Sequence, residues 1–194
     1  MNILVINGSP KHNGKISAII KEILKGGAPS DQIEIIQLTN LTNLHHCTGC
    51  MNCQRTGNCI IRDDIVSIET AIKKSDMLIL ATPTHWGNMS GLMLSVFERL
   101  FGFLLEERQS GFPKARNAAG KKAILVTACS TPWPFSWIFN QSRSCFGRLY
   151  EICKYSGIKI CGTFVLAGTA KMDEIPNKYL HKACKLGTKL FSIR

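Results

Sequence analysis

Acidic side chains are scarce in this chain of 194 residues: 13 Asp and Glu stand against 24 Lys and Arg, a formal charge of +11. The basic residues form no run of five and no aromatic–basic motif of the RNA-binding kind, so nucleic acid is not the expected partner despite the charge. Long apolar runs are missing too. The longest, Met77–Ala81 and Ala123–Val126, are strand-length, far short of the roughly 20 residues that a membrane-spanning helix needs. The first residues lack a cationic segment, and the apolar stretch Ile3–Ile6 is too short for a secretory signal. A cytoplasmic protein without membrane contact is expected. Hydrophobic residues at 45% and charged residues at 19% exclude a disordered chain or a fibre. The length suits one domain, 1–194, with a sizeable core.

Strand and helix patterns alternate along the chain. Asn2–Asn7 reads as a strand ending in the turn signal Gly8-Ser9-Pro10. A helix follows from about 13 to 25, with Ile16, Ile19, Ile20, Ile23 and Leu24 on one face. Strands are expected at 32–38, 76–82, 122–127 and 158–166. Helices are expected after an Asp63 or Asp64 cap, after a Ser90 cap, over about 141–156, and after Pro176. Residues 105–120 read as a polar, basic loop. Five strands and five helices in alternation predict a doubly wound, three-layer α/β/α fold with a parallel sheet of order 2-1-3-4-5. In such sheets ligands bind beyond the carboxyl ends of the strands where the order reverses, which selects loops 8–14 and 83–89, flanked by 128–134.

The first loop lacks G-x-G-x-x-G, the dinucleotide fingerprint, and G-x-x-x-x-G-K-[ST], the nucleoside triphosphate loop. What it offers is Gly8 for a tight turn, a helix N-terminus for an anion, hydroxyls at Ser9 and Ser17, and charge at Lys11 or Lys15. A mononucleotide phosphate site and an ordinary βα turn both fit these residues. The second loop, Pro83-Thr84-His85-Trp86-Gly87-Asn88-Met89, offers an aromatic surface and backbone hydrogen bonds of the kind an isoalloxazine ring needs. The plainer roles are a partly buried Trp86 and a structural His85.

Nine cysteines is an odd count, and with no secretory signal it argues against a disulfide framework. Four fall within thirteen residues, as Cys47-x2-Cys50-x2-Cys53-x5-Cys59. This spacing suits a [4Fe–4S] cluster first, a zinc ion second and free buried thiols third. The segment, at about 44–62, leaves the carboxyl end of strand two. Its eight-residue connector, 39–46, reaches at most ~26 Å, enough to place the cysteines near the mononucleotide. Cys145, Cys153, Cys161 and Cys184 read as small core hydrophobes, whereas Cys129 lies on the ligand edge.

Gly8-Ser9-Pro10-Lys11 with Asn13-Gly14, the four-cysteine motif, Asp63-Asp64, and Pro83-x-x-Trp86 followed by Met89-Ser90-Gly91 together resemble the flavodoxin-like NAD(P)H-dependent FMN reductases, specifically their iron–sulfur flavoprotein branch. The resemblance covers most of 1–104. It implies a flavodoxin-like fold and non-covalent FMN, with the phosphate on Ser9, Lys11 and the segment Asn13, Gly14, Lys15, Ile16 and Ser17. The ring would lie against Pro83, Thr84, His85, Trp86, Gly87, Asn88 and Met89, beside Cys129, Ser130 and Thr131. It implies a [4Fe–4S] cluster on Cys47, Cys50, Cys53 and Cys59, electrons exchanged between NAD(P)H or a reduced carrier, FMN and the cluster, and a homodimer or homotetramer. Many members carry Asn-Thr where this chain has Lys15-Ile16, and Tyr where it has His85, so one hydroxyl contact to phosphate falls to Ser17. No side chain is assigned as a catalytic acid or base. An FMN reductase without a working cluster and a redox-sensing module are the rival readings. An acidic electron carrier such as a ferredoxin would suit the charge, with Arg108, Lys114 and Arg116 as contacts.

Overall fold

The computed structural model describes residues 1–108 and 111–192. Its elements are β1 (Asn2–Asn7), α1 (Lys15–Leu24), β2 (Gln32–Gln37), α2 (Asn52–Thr56), α3 (Ile65–Lys74), β3 (Met77–Pro83), α4 (Gly91–Arg99), α5 (Phe101–Leu104), β4 (Leu105–Glu106), β5 (Lys114–Ala115), β6 (Lys122–Cys129), α6 (Phe135–Ile138), α7 (Gln141–Tyr155), β7 (Lys159–Ala167) and α8 (Asn177–Phe191). Short 3-10 turns lie at Leu38–Asn40 and Thr169–Lys171.

Five strands form one parallel sheet in the order β2-β1-β3-β6-β7. Counting only these five, the order is the expected 2-1-3-4-5, and the fold is flavodoxin-like. The continuous apolar runs follow from burial on both faces. In β1, Leu4 and Ile6 join one core with Ile68 and Ile72 of α3, Val96 of α4 and Leu149 of α7. Ile3 and Val5 point to the other core, with Ile19 and Ile23 of α1 and Leu190 of α8. Among the described residues no helix is long and apolar enough to cross a membrane.

The departures from the sequence reading are local. The loop 105–120 contains an antiparallel pair, β4 with β5; residues 109–110 of that loop lie outside the described ones. The cysteine segment contains α2, and residues 135–138 form α6. The Ser90 cap forms as expected, its hydroxyl accepting the Met93 amide at 3.3 Å. Asp64 stands at the N-cap of α3 but makes no side-chain cap bond. Asp63 instead accepts the Ile65 amide at 3.1 Å, and most of its carboxylate is committed elsewhere.

Candidate functional site

The carboxyl edge of the sheet carries the first site. The Gly8 amide donates to the Ala81 carbonyl at 2.8 Å, which brings the loop after β1 against β3. Ser90 donates to the Gly8 carbonyl at 2.8 Å and locks the start of α4 to the same loop. Within the loop the Ser9 amide donates to Asn7 Oδ1 at 3.0 Å, and the Gln37 amide donates to the Ser9 carbonyl at 2.6 Å. The backbone is thus set before any ligand arrives.

A cavity of about 490 Å³ opens over this loop. It brings together Ser9, Lys11, Asn13, Gly14, Lys15 and Ile16 from the first loop, Pro83 and His85 from the second, and Ser130 from the third. Thr84, Trp86, Gly87 and Cys129 line an adjoining cavity of about 330 Å³, which shares Ser130. Four expected residues lie outside both. Ser17 is buried and its hydroxyl accepts the Asn7 side-chain amide at 3.2 Å. Thr131 spends its hydroxyl on Gln141. Met89 is buried in the core, and Asn88 faces a groove between α4 and α7. Trp86 is wholly exposed, at φ +53°, on a turn closed by paired His85–Asn88 backbone bonds.

Thr169, Ala170 and Asp173, which follow β7, complete the larger cavity and were not anticipated. Their signal was available: β7 ends at the same carboxyl edge as the other parallel strands.

The four clustered cysteines, Cys47, Cys50, Cys53 and Cys59, line a second, separate cavity of about 390 Å³ with Glu98, Arg99 and Phe101. It shares no lining residue with the phosphate-loop cavity. Ser90, at the start of α4, packs on that loop, whereas Arg99 ends the helix in the cysteine cavity. Nine residues of helix span about 14 Å, the stretch of α4 that separates its contact with the phosphate loop from the cysteine cavity.

The segment is turned by left-handed backbone at Gly49, Met51 and Gly57, with φ of 68°, 55° and 76°. Cys47 Sγ accepts the Gly49 amide at 3.4 Å. The Cys50 thiol is drawn below its ordinary value, first by the Asn52 amide and then by the Thr48 hydroxyl. Arg99 Nε donates to Cys59 Sγ at 3.2 Å. Among the described residues no three His, Cys, Asp or Glu side chains converge on a point that one metal ion would occupy. The donor set itself, four cysteines lining one cavity with a backbone amide on Cys47 Sγ and a guanidinium on Cys59 Sγ, has the chemistry of a thiolate-held cluster.

Arg116, expected on the surface, is drawn inward to brace this segment. It donates to the carbonyls of Gly102 at 2.9 Å and Gln54 at 3.1 Å. Arg108 and Lys114 are exposed. Of the other cysteines, Cys145 and Cys153 are core residues; burial raises both thiols, Cys153 to about 12.

Known proteins place this architecture. Residues 1–150 match the family model described as NADPH-dependent FMN reductase. Across 98% of the chain it is 25% identical to an iron-sulfur flavoprotein of Archaeoglobus fulgidus, covering 79% of that protein. It is 35% identical over 133 residues to an iron-sulfur flavoprotein of Clostridioides difficile, an alignment spanning 64% of this chain and 58% of the relative. In structure it is similar to an NAD(P)H:quinone oxidoreductase from Methanothermobacter marburgensis, with a TM-score of 0.81, 15% identity and 98% of both chains covered. It is also similar to an FMN-dependent NADH-azoreductase from Bacillus anthracis in complex with FMN, with a TM-score of 0.71, 16% identity, and 98% of this chain and 97% of that one covered. With a flavodoxin-like sheet, a preformed loop at its switch point and a family match over most of its length, the chain belongs to the NADPH-dependent FMN reductase family and is an NAD(P)H-dependent flavin oxidoreductase.

Proposed function

We propose that this chain is an iron–sulfur flavoprotein, an electron-transfer oxidoreductase with FMN at the phosphate-loop cavity and a [4Fe–4S] cluster at the cysteine cavity. The observation that carries the reading is that Cys47, Cys50, Cys53 and Cys59 all line one cavity. The curated relatives named iron-sulfur flavoprotein support it.

When bound, FMN supplies two-electron chemistry with NAD(P)H or a reduced carrier, and the cluster supplies one-electron exchange. The chain's own residues bind and orient. Ser9, Lys11 and the amides from Asn13 to Ser17 would hold the phosphate at the start of α1, where free N–H groups favour an anion. Pro83, Thr84, His85, Trp86 and Gly87 would flank the ring, with Cys129 and Ser130 on the far side. No group in either cavity is needed as a general acid or base.

The test is a visible spectrum of anaerobically purified protein, with iron and acid-labile sulfide assayed on the same sample. Flavin bands over a broad cluster absorbance, with about four iron and four sulfide per chain, are expected. Cys53→Ser should remove the iron and leave the flavin. Flavin alone, with zinc or no metal, would reduce the reading to a flavin reductase whose cysteines are structural.

A further inference from the structure

Arg99 is the largest fully buried side chain of the described protein, 1% exposed, at the end of an otherwise apolar helix face. Burying a guanidinium is costly unless every donor and the charge are matched. Here all five N–H groups are used. The guanidinium grips both carboxylate oxygens of Asp63, at 2.8 and 2.9 Å. It donates to the His45 carbonyl and, at 2.7 Å, to the Ile61 carbonyl. The fifth donor, Nε, points at Cys59 Sγ at 3.2 Å. His45 and Ile61 flank the cysteine segment, two residues before Cys47 and two after Cys59. One side chain therefore closes the segment into a ring and faces its last sulfur.

A neutral thiol is a weak acceptor, whereas a thiolate accepts a guanidinium N–H strongly. Hydrogen bonds to cluster sulfurs and nearby charge are levers on a cluster's potential. Among the described residues no cation donates to the sulfur of Cys47, Cys50 or Cys53; Arg116 reaches Cys53 only at its carbonyl, at 3.5 Å.

We propose that Arg99 is a positioning residue for Cys59: it presents this thiolate to the cluster and, through Nε–H and its charge, raises the cluster's reduction potential, with Asp63 as the counter-charge that moderates the effect. The inference rests on the cluster reading above.

Its test is a set of variants, Arg99→Gln, Arg99→Lys, Asp63→Asn and Arg116→Lys. Each is reconstituted anaerobically beside wild type. FMN content and far-UV circular dichroism confirm the fold. Midpoint potential is read by EPR-monitored redox titration, and cluster loss by iron release to a chelator. Arg99→Gln should move the potential to more negative values and speed iron release at least about tenfold. Asp63→Asn, which leaves the guanidinium uncompensated, should move the potential the opposite way. Arg99→Lys should recover part of the potential but not the retention, because an ammonium cannot fork across Asp63 and two carbonyls. Arg116→Lys loosens a brace that holds backbone carbonyls and pairs with Glu106 but donates to no cysteine sulfur, so iron should leave faster at an unchanged potential.

A purely structural Arg99 would give the same potential in every variant, or shifts of one sign for Arg99→Gln and Asp63→Asn, and either result overturns the inference. If Arg99→Gln does not fold, the sign in Asp63→Asn decides alone. Wild type that binds FMN but takes up no iron or sulfide would sink the cluster reading and this inference with it. Wild type with a full cluster and unmoved potentials would sink the inference alone.

Discussion

Asp63 shows how one side chain serves two structures. Burial works against its charge, yet the Arg99 guanidinium, with the His45 and Ile65 amides, outweighs that penalty and holds the carboxyl well below the usual carboxylate range. The native state thus binds the Asp63 proton more weakly than the unfolded chain does. The sign follows: the associated stability is fully present above the unfolded value of about 3.9 and is lost as pH falls below it, toward the lowered native value. Asp63→Asn should cost about 3–5 kcal/mol at pH 7, because it strands a buried guanidinium. The gap to wild type should narrow below pH ~4, where the wild-type carboxylate also takes up protons. Urea unfolding of metal-free protein from pH 7 to pH 3 checks this, and parallel stability curves for the two proteins would refute it. A sequence pattern showed Asp63-Asp64 as a helix cap. It could not show that Asp63's main partner lies 36 residues away, since a long-range ion pair leaves no periodic trace. Arg99 left a fainter one, a single cation among Val96, Phe97, Leu100 and Phe103.

At the scale of elements, the cysteine segment is seated on α4 and α5, and the seat is one glycine. A Cβ on Gly102 would fall 2.3 Å from the Cys53 carbonyl oxygen and 2.6 Å from its Cβ. Backbone cannot yield to that cheaply. Gly102→Ala should destabilise the protein by about 1–3 kcal/mol, in the manner of overpacking, and lower iron content per chain. FMN content should stay at the wild-type level, because the phosphate loop is held separately by Ser90 and Ala81. Equal loss of flavin and iron would mean that the two sites are not independent units. This seat also explains where sequence reading stopped. The strands and their order were legible, because continuous apolar runs and strand–helix alternation are local signals. The cysteine motif was legible as a donor set. Its seat was not: connector length only bounds a reach, while the docking of Cys53 onto Gly102 depends on tertiary packing. The loop after β7 was overlooked, although the parallel topology puts it on the ligand edge.

For the whole molecule, two features of the surface bear on partners. Trp133, Phe135, Trp137, Ile138 and Phe139 are all exposed, and Phe139 lines the cavity beside Trp86. An exposed apolar group of this size marks a contact surface, and we propose a second copy of this chain as its occupant. Trp137→Ser with Ile138→Asp should convert a dimer or tetramer to monomer in light scattering; an unchanged mass would assign the surface another role. The excess of positive charge is the other feature. With Arg116 turned inward, the exposed Arg108 and Lys114 remain on the β4–β5 side of the cysteine segment. An acidic electron carrier approaching the cysteine cavity would meet their charge together with that of exposed Arg55 in α2. Long-range attraction of this kind raises encounter rates and is screened by salt. Arg108→Glu with Lys114→Glu should therefore raise the carrier's KM severalfold at low ionic strength. The difference should close as salt approaches ~1 M, where the screening length falls to about 3 Å. NAD(P)H-dependent reduction of the bound flavin should stay unchanged, since neither residue lines the phosphate-loop cavity. A KM that is the same for both proteins at every salt concentration would remove these two residues from the carrier's path and leave the charge as a solvated surface.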